Sequence, residues 1–215
     1  MKEIIVVGFG GHAKSVIDSL ERTKEYRIIG YTDVEESLAY RGYQWLGTDE
    51  RLRDYYYQGV RYACIGVGYL GKGRIRDRLY DQLKKIGFQL PVIMDPSAVI
   101  AKDVSIGEGS FIGKNAIVNA DCRIGKLCII NSDALIEHES IVDDFAHVAV
   151  RAVACGSVRI GEHSFLGANA TVIQNLQIGK NVIAGAGSVI ISDLPDHSVA
   201  VGNPAKIIRF RSEKV

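Results

Sequence analysis

A glycine-rich turn near the N-terminus has the residue types and spacing of a phosphate-binding site. Residues 3–7 (EIIVV) form a buried-strand run, GFGGHA follows at residues 8–13, and apolar positions at helical spacing come next. Glycines let a backbone approach a phosphate closely, and the N-terminus of the following helix offers free N–H groups. The same glycines would also serve simply to tighten a strand–helix turn. The candidate substrate-binding residues of this turn are Gly8, Gly10, Gly11 and His12.

Two further strand-like runs, residues 27–31 and 61–65, end in residues that suit a nucleotide. Asp33 lies about twenty residues beyond the glycine turn, where a carboxylate can bind a ribose hydroxyl. Gly66 and Gly68 close the third run in the manner of the first turn. These three residues complete the candidate nucleotide-binding set at the N-terminal end of the chain.

The elements around these turns alternate between strand and helix, with a helical pattern over residues 74–85. This alternation predicts a small α/β Rossmann-like domain over residues 1–90. About ninety residues hold only half of the arrangement that spans a dinucleotide, so a mononucleotide-linked substrate fits better than a dinucleotide. The segment between Leu90 and Pro96 is the expected domain junction.

Composition excludes several classes of protein. The 215 residues carry 26 Lys+Arg against 25 Asp+Glu, so no overall positive field favours nucleic acid or anionic lipid. Hydrophobic residues make up 47% of the chain, which is typical of a globular protein. No run approaches the roughly 18 apolar residues of a membrane span, and the four cysteines show no zinc or disulfide spacing. We therefore expect a cytoplasmic protein with no membrane insertion and no metal.

The sequence repeats every six residues beyond residue 100. Stepping by six from Ile100 to Ile190 gives sixteen positions, fourteen of which are Ile, Val or Leu, with no insertion between them. The fourth residue after each is small or aliphatic, as at Ser110, Ala116 and Cys122. A helix cannot use a six-residue period, but a triangular solenoid of short parallel strands can.

The repeat therefore predicts an all-β parallel β-helix, the hexapeptide-repeat solenoid, over residues 94–197. Three hexapeptides make one coil, so residues eighteen apart stack on one another, and residues 198–215 form a C-terminal capping tail. Since no loop leaves the coils, the substrate pocket needs residues from elsewhere, and the N-terminal domain is the candidate.

This combination resembles the PglD/NeuD-type sugar acyltransferases, which are hexapeptide-repeat enzymes with a left-handed β-helix. The resemblance covers nearly the whole chain. The segments that carry it are Gly8-Phe9-Gly10-Gly11-His12, Ile129-Ile130-Asn131, Ile136-Glu137-His138-Glu139, His147, Gly156 and Val201-Gly202-Asn203-Pro204-Ala205-Lys206.

The resemblance implies a catalytic pair and a site for acetyl-CoA. His138 would be the general base that deprotonates an acceptor as it attacks the thioester, and Glu139 would orient its imidazole. Gly156, eighteen residues on and hence one coil above His138, would supply a backbone N–H to the oxyanion. The remaining residues implied to bind acetyl-CoA are His147, Asn203, Pro204 and Lys206.

Asn131 and His147 flank this pair in the sequence. The resemblance implies that Asn131 binds the substrate, although an asparagine at this position could also simply stabilise a corner. Because His147 is nine residues from His138, it should face a different groove of its own chain. In a homotrimer, which we expect, His147 of one subunit can meet His138 of its neighbour, so the active sites would lie between subunits. His163 and His197 match nothing in the family pattern and are predicted to be surface residues.

The family leaves several activities open. The first is acetyl transfer from acetyl-CoA to the 4-amino group of a UDP- or GDP-linked amino sugar, and the nearest alternative is O-acetylation of sialic acid or another sugar. A γ-class carbonic anhydrase uses the same β-helix, but the histidines lack its zinc spacing. A non-catalytic trimeric sugar-binding scaffold is the third class.

Overall fold

The computed structural model describes residues 1–36, 40–71 and 73–212, and the chain forms two compact units. The first unit contains Met1–Gly68 and Arg74–Pro96, and the second contains Tyr69–Gly73 and Ser97–Val215. The short segment Tyr69–Gly73, which the sequence analysis assigned to the N-terminal domain, thus groups with the coils.

The first unit is an α/β domain with a three-stranded parallel sheet in the order β2-β1-β3. The predicted α/β class is confirmed, and the three strands and two longer helices lie close to their predicted positions. The structure adds a short helix, α2, that the sequence analysis did not predict. The elements are β1 (Lys2–Val7), α1 (Gly11–Thr23), β2 (Tyr26–Thr32), a 3-10 helix (Asp49–Arg51), α2 (Leu52–Tyr57), β3 (Tyr62–Ile65), α3 (Ile75–Ile86) and β4 (Ile93–Met94).

Apolar packing around β1 holds this unit together. The side chains of Ile4–Val7 are fully buried because β1 is the central strand, and α1 buries Val16, Ile17 and Leu20 on one helical face. The buried carboxylate of Asp95 accepts hydrogen bonds from Ser19 Oγ and Arg22 Nη1, each at 2.7 Å, and so joins α1 to the end of the unit.

The second unit is a left-handed parallel β-helix, as predicted, with two-residue strands on three faces. Strands eighteen residues apart pair in parallel, as Leu135 does with Val153. Face 1 consists of β5 (Val99–Ile100), β8 (Ile117–Val118), β11 (Leu135–Ile136), β14 (Val153–Ala154), β17 (Thr171–Val172) and β20 (Val189–Ile190). Face 2 consists of β6 (Ser105–Ile106), β9 (Arg123–Ile124), β12 (Ile141–Val142), β15 (Arg159–Ile160) and β18 (Gln177–Ile178). Face 3 consists of β7 (Phe111–Ile112), β10 (Ile129–Ile130), β13 (His147–Val148), β16 (Phe165–Leu166) and β19 (Ile183–Ala184).

Each corner of the solenoid uses one residue with a left-handed backbone. Every sixth residue from Gly109 to Gly187 has φ between 53° and 68°, and most of these residues are not glycine. This conformation costs about 1–2 kcal/mol for most residues, but Asn and Asp tolerate it well, which explains positions such as Asn115 and Asn169. Glu139 and His163 occupy two of these corner positions.

Buried serines tie successive coils together inside the corners. Ser164 Oγ donates to the carbonyl oxygen of Gly179 at 2.6 Å and accepts from the N–H of Val182 at 3.0 Å. Ser110 and Ser140 make the same pair of bonds, fifteen and eighteen residues ahead. Each serine therefore satisfies a donor and an acceptor that the tight corner leaves buried.

The chain ends in a hairpin that extends face 3. Strand β21 (Ser198–Gly202) pairs in parallel with β19, and β22 (Ala205–Phe210) pairs antiparallel with β21. Ser188 lies directly before β20, and Lys206, eighteen residues further on, belongs to β22 and not to another coil. Its buried Oγ has no hydrogen-bond partner in the described part of the chain. Across residues 1–36, 40–71 and 73–212, no helix is long and apolar enough to cross a membrane.

Candidate active site

His138 and Glu139 lie at the corner between face 1 and face 2, directly after β11. The Nδ1 atom of His138 is 3.1 Å from Oε2 of Glu139, and the two side chains are 57% and 61% exposed. A carboxylate oxygen in this contact can only accept, so Nδ1 carries a hydrogen, and in the neutral imidazole the lone pair is therefore on Nε2. Ser157 Oγ contacts the same Oε2 at 3.4 Å from the next coil. The arrangement presents a basic imidazole nitrogen to solvent.

Gly156 lies against the His138 ring. A Cβ atom at residue 156 would stand 2.6 Å from Cε1 and 2.7 Å from Nε2 of His138, closer than any real side-chain contact. The eighteen-residue register predicted this stacking, and it brings the Gly156 backbone beside the nitrogen that carries the lone pair. Only glycine leaves the imidazole in this position.

The Gly156 N–H differs from the corresponding amide one coil earlier. The N–H of His138 donates to Oε2 of Glu137 at 3.3 Å, and Oε1 of Glu137 accepts from Nδ2 of Asn119 at 2.9 Å. Cys155 precedes Gly156 and offers no carboxylate, and within the described residues the Gly156 N–H has no acceptor. This amide is therefore available to an oxygen of a bound molecule.

Asn131 and His147 form a second cluster, away from this corner. Nε2 of His147 is 3.1 Å from Nδ2 of Asn131, and Nδ1 of His147 is 2.5 Å from the carbonyl oxygen of Tyr69. Oδ1 of Asn131 accepts from the N–H of Ser132 at 2.8 Å. His147 is only 5% exposed, so both of its ring nitrogens face groups of its own chain.

His163 was predicted to be a surface residue, and this prediction is wrong. The residue is 3% exposed, its ring stacks on Phe145 with centroids 4.8 Å apart, and its carbonyl accepts from Tyr69 Oη at 2.7 Å. The surface prediction rested on the absence of His163 from the family pattern, and the sequence could not show that Tyr69, 94 residues earlier, covers this corner. His197 is half-buried and contacts its surroundings through its backbone.

The predicted nucleotide-binding residues gather where the strands of the first unit end. Gly68 lies beside His12, and Gly66 packs so closely on Gly8 and Ala13 that a side chain would clash. Gly8, with φ of 85°, lies against Val67.

Gly10 and Gly11 are different, because a Cβ at either position would meet nothing within 4 Å. Packing therefore does not explain these two glycines, whereas close approach of a ligand to the start of α1 would. Asp33 anchors the turn beside them. Its Oδ2 accepts from the Phe9 N–H at 2.7 Å and its Oδ1 from the Val34 N–H at 2.7 Å.

The predicted coenzyme segment lies in the turn between β21 and β22. Asn203 and Pro204 are joined by a cis peptide bond, and both residues and Lys206 are exposed. A separate charged groove, at the corner between faces 2 and 3, is lined by Asp143, Asp144, Arg159, Glu162 and Lys180. Among the described residues no group of three His, Cys, Asp or Glu side chains could hold a metal ion.

Comparison with known proteins places this geometry in a family. The PglD N-terminal domain matches residues 3–83, the bacterial transferase hexapeptide (six repeats) matches residues 103–138, and the hexapeptide repeat of succinyl-transferase matches residues 157–206. The structure of PerB from Caulobacter crescentus in complex with CoA and GDP-perosamine is 35% identical, with a TM-score of 0.90. The match covers 96% of this chain and 97% of PerB. The chain belongs to the PglD-type sugar acetyltransferase family.

Two other relatives of this PglD-type chain have known structures. The acetyltransferase domain of PglB from Neisseria gonorrhoeae, in complex with acetyl coenzyme A, is 32% identical over 96% of this chain and 99% of that domain, with a TM-score of 0.89. WeeI from Acinetobacter baumannii is 25% identical over 97% of this chain and 100% of its own, with a TM-score of 0.84. Probable serine acetyltransferase 2 of Oryza sativa is 55% identical over 56 residues only, which is 16% of its length and 26% of this chain.

Sequence reasoning missed four residues that contact the candidate site: Asn119, Glu137 as a side-chain contact, Ser157 and Tyr69. The eighteen-residue period could have found the first three, because Asn119 precedes Glu137 by eighteen residues and Ser157 follows Glu139 by eighteen. No periodic signal leads to Tyr69, which lies outside the repeat.

Proposed function

We propose that this protein transfers an acetyl group from acetyl-CoA to the 4-amino group of a UDP- or GDP-linked amino sugar. The observation that carries the proposal is the exposed His138–Glu139 pair with the Gly156 backbone packed against the imidazole. The similarity over nearly full length to PerB, whose structure holds CoA and GDP-perosamine, supports the choice of donor and acceptor class.

His138 acts as the general base. Because Glu139 holds the Nδ1 hydrogen, the Nε2 lone pair is free to take a proton from the sugar amine as its nitrogen attacks the thioester carbonyl carbon. A carbon–nitrogen bond forms and the carbon–sulfur bond breaks. The amine proton passes to His138, and the departing CoA thiolate takes it up.

The attack creates a negatively charged oxygen that needs a hydrogen-bond donor. The Gly156 N–H, with no acceptor of its own in the described residues, lies next to the His138 ring and suits this task. A fixed backbone donor stabilises the charge without any rearrangement at the moment of reaction.

The nucleotide and the coenzyme would bind through separate groups of residues. We assign the nucleotide to the glycine turn of the first unit, where Gly10 and Gly11 place no side chain over the start of α1. The exposed turn with Asn203, Pro204 and Lys206 is the proposed contact for the coenzyme, since a lysine there can pair with its phosphates.

We propose that the protein is a cytoplasmic homotrimer with active sites between subunits, and the solvent-exposed His138 corner supports the shared site. A side chain that is 57% exposed in one chain gives the reaction little shelter from water, and a second subunit would provide it. Light scattering combined with activity at each oligomeric state tests this part of the proposal. A monomer with full activity contradicts it.

Thiol release from acetyl-CoA tests the reaction, with UDP- and GDP-linked 4-amino sugars and sialic acid as acceptors. We expect turnover on a nucleotide amino sugar and a loss of about 10²–10⁴-fold in His138→Ala. His197→Asn is the matched control, because it removes a histidine elsewhere on the solenoid, and asparagine tolerates the left-handed backbone of residue 197.

The other outcomes separate the alternatives. Turnover on sialic acid alone would assign O-acetylation, because the same base serves a hydroxyl. Silence on every acceptor together with failure to bind acetyl-CoA in calorimetry would favour the sugar-binding scaffold.

A further inference from the structure

We propose that His147 is a positioning residue, held by the strap Tyr69–Gly71, that orients the Asn131 amide. In this proposal His147 acts through Asn131, whereas the family resemblance implies that His147 contacts acetyl-CoA. The importance of Asn131 for the substrate rests on the proposed function, whereas the hydrogen-bond chain from strap to Asn131 does not.

The contacts of His147 define one protonation form. The carbonyl oxygen of Tyr69 can only accept, so Nδ1 of His147 carries a hydrogen toward it at 2.5 Å. Oδ1 of Asn131 accepts from the Ser132 N–H, so the NH₂ group of Asn131 must face His147, and Nε2 accepts from it at 3.1 Å. His147 is therefore a neutral imidazole with its hydrogen on Nδ1, linking a donor on one side to an acceptor on the other.

The strap is fixed to the outer surface of face 3 by three independent contacts. Tyr69 is buried and donates its hydroxyl to the carbonyl oxygen of His163. Gly71 has φ of 74°, and a Cβ there would lie 2.8 Å from Ile183 and 3.4 Å from Phe165. The third contact is the His147 bond itself. Residues 147, 165 and 183 lie eighteen apart, so the strap runs across three successive coils.

The orientation of the Asn131 side-chain amide is fixed by two hydrogen bonds, one to Ser132 and one to His147. Its oxygen is used by Ser132 and one N–H by His147, so the second N–H points in a fixed direction. Without His147 the amide loses one of the two bonds that hold it. The Asn131 side chain would then sample other rotamers, and a substrate contact made by its free N–H would weaken.

Two substitutions of His147 separate its two bonds. His147→Asn keeps a donor near the position of Nδ1 and loses the acceptor for Asn131, whereas His147→Gln can keep an acceptor near the position of Nε2 and loses the strap bond. We expect His147→Asn to raise KM for the nucleotide amino sugar by about 5- to 10-fold, the effect of one net hydrogen bond. His147→Gln should stay nearer the wild-type KM. In both variants kcat should change less than KM.

A double-mutant cycle tests whether His147 works through Asn131. If it does, His147→Asn in an Asn131→Ala background has little additional effect on KM. Additive effects of the two substitutions would overturn the proposal, because they would mean that His147 contacts the substrate or coenzyme directly. Equal KM values for His147→Asn and His147→Gln would also count against it.

The strap itself is tested without any activity measurement. Amide hydrogen exchange over residues 69–71 should quicken by about 10-fold or more in Gly71→Ala, because that strap contact is lost locally. Leu70→Ala is the matched control, since Leu70 is on the same strap but 74% exposed. If Gly71→Ala fails to fold, the same exchange measurement is made on Tyr69→Phe, which keeps the ring but removes the hydrogen bond to His163. Unchanged exchange in both Gly71→Ala and Tyr69→Phe would overturn the strap.

Nitrogen-15 shifts of the His147 ring provide the last readout. They should report hydrogen on Nδ1 in the intact protein, and a hydrogen on Nε2 alone would refute the chain. If the wild-type protein shows hydrogen on Nδ1 of His147 but no acetyl transfer to any acceptor, the proposed function is wrong. The strap and the His147 tautomer would still be supported.

Discussion

Substituting Gly156 by alanine tests the arrangement of the active site most directly. The new Cβ would stand 2.6 Å from Cε1 of His138, whereas non-bonded carbon atoms settle about 3.5–4.0 Å apart. The imidazole must therefore move back by about 1 Å, and a displacement of that size costs about 10²-fold in rate. We expect kcat to fall about 10²-fold, equivalent to about 2.7 kcal/mol of activation free energy.

Stability should hardly change in the same variant. Gly156 does not use the left-handed backbone, and the exposed His138 ring is free to swing into solvent, so the free energy of unfolding should shift by less than about 0.5 kcal/mol. Initial rates of CoA release give kcat and both KM values, and calorimetry gives the Kd of acetyl-CoA. Gln174→Ala, one coil above Gly156 in the same exposed column, serves as the matched control and should behave as wild type.

Two results would refute this reasoning. If Gly156→Ala keeps kcat within twofold of wild type, the observed contact between glycine and imidazole has no part in catalysis. If its whole defect lies in a weaker Kd for acetyl-CoA, residue 156 supports coenzyme binding and the position of His138 is not the cause.

Three further predictions concern stability and reactivity. Ser164→Ala should lower the free energy of unfolding by about 1–3 kcal/mol, because it leaves two buried partners unsatisfied. Ser188→Ala should be neutral or stabilising, because the Ser188 hydroxyl has no partner among the described residues. Urea titrations of the two variants measure the difference, and equal losses of stability would contradict the prediction. Burial raises the pKa of Cys64 from 9.0 to about 12, so the thiol ionises first in the unfolded chain and the free energy of unfolding should fall between about pH 9 and 12. The urea midpoint should fall less steeply with pH in Cys64→Ala. An unchanged dependence of the midpoint on pH would count against this prediction. Asp95→Ala should destabilise the first unit by about 1.5–3 kcal/mol, because it removes the charged acceptor of Ser19 and Arg22, of which Arg22 is 44% exposed. Circular dichroism melting measures the change, and a loss below about 1 kcal/mol would show that these bonds contribute little.

The repeat made most of the fold predictable from sequence. A six-residue period with an aliphatic residue at each step specifies both strand positions and the eighteen-residue stacking, and hence the contact of Gly156 with His138. The N-terminal strands were predictable because each is a short apolar run that ends at a glycine or an aspartate.

Contacts that depend on distant segments were not predictable. His163 has the position of an exposed corner residue, and its burial comes from Tyr69, whose place against face 3 has no signature in the repeat. The groups around the His147 imidazole include Tyr69 of the same distant segment, which the repeat could not indicate. Helix α2 was missed because Leu52–Tyr57 is only six residues long and buries a single apolar side chain.

The antiparallel hairpin at the C-terminus also bears on how these molecules avoid joining end to end. A parallel solenoid that simply stopped would leave strand edges matching the edges at its other end, and identical molecules could stack into a fibre. On face 3 the final strand β22 runs in the opposite direction, its pairing with β21 is irregular between Val199 and Ala200, and it carries Lys206 and Arg209. A reversed, bulged and positively charged edge is a poor template for another coil. The hairpin therefore disfavours the pairing of face 3 with the coils of a second molecule.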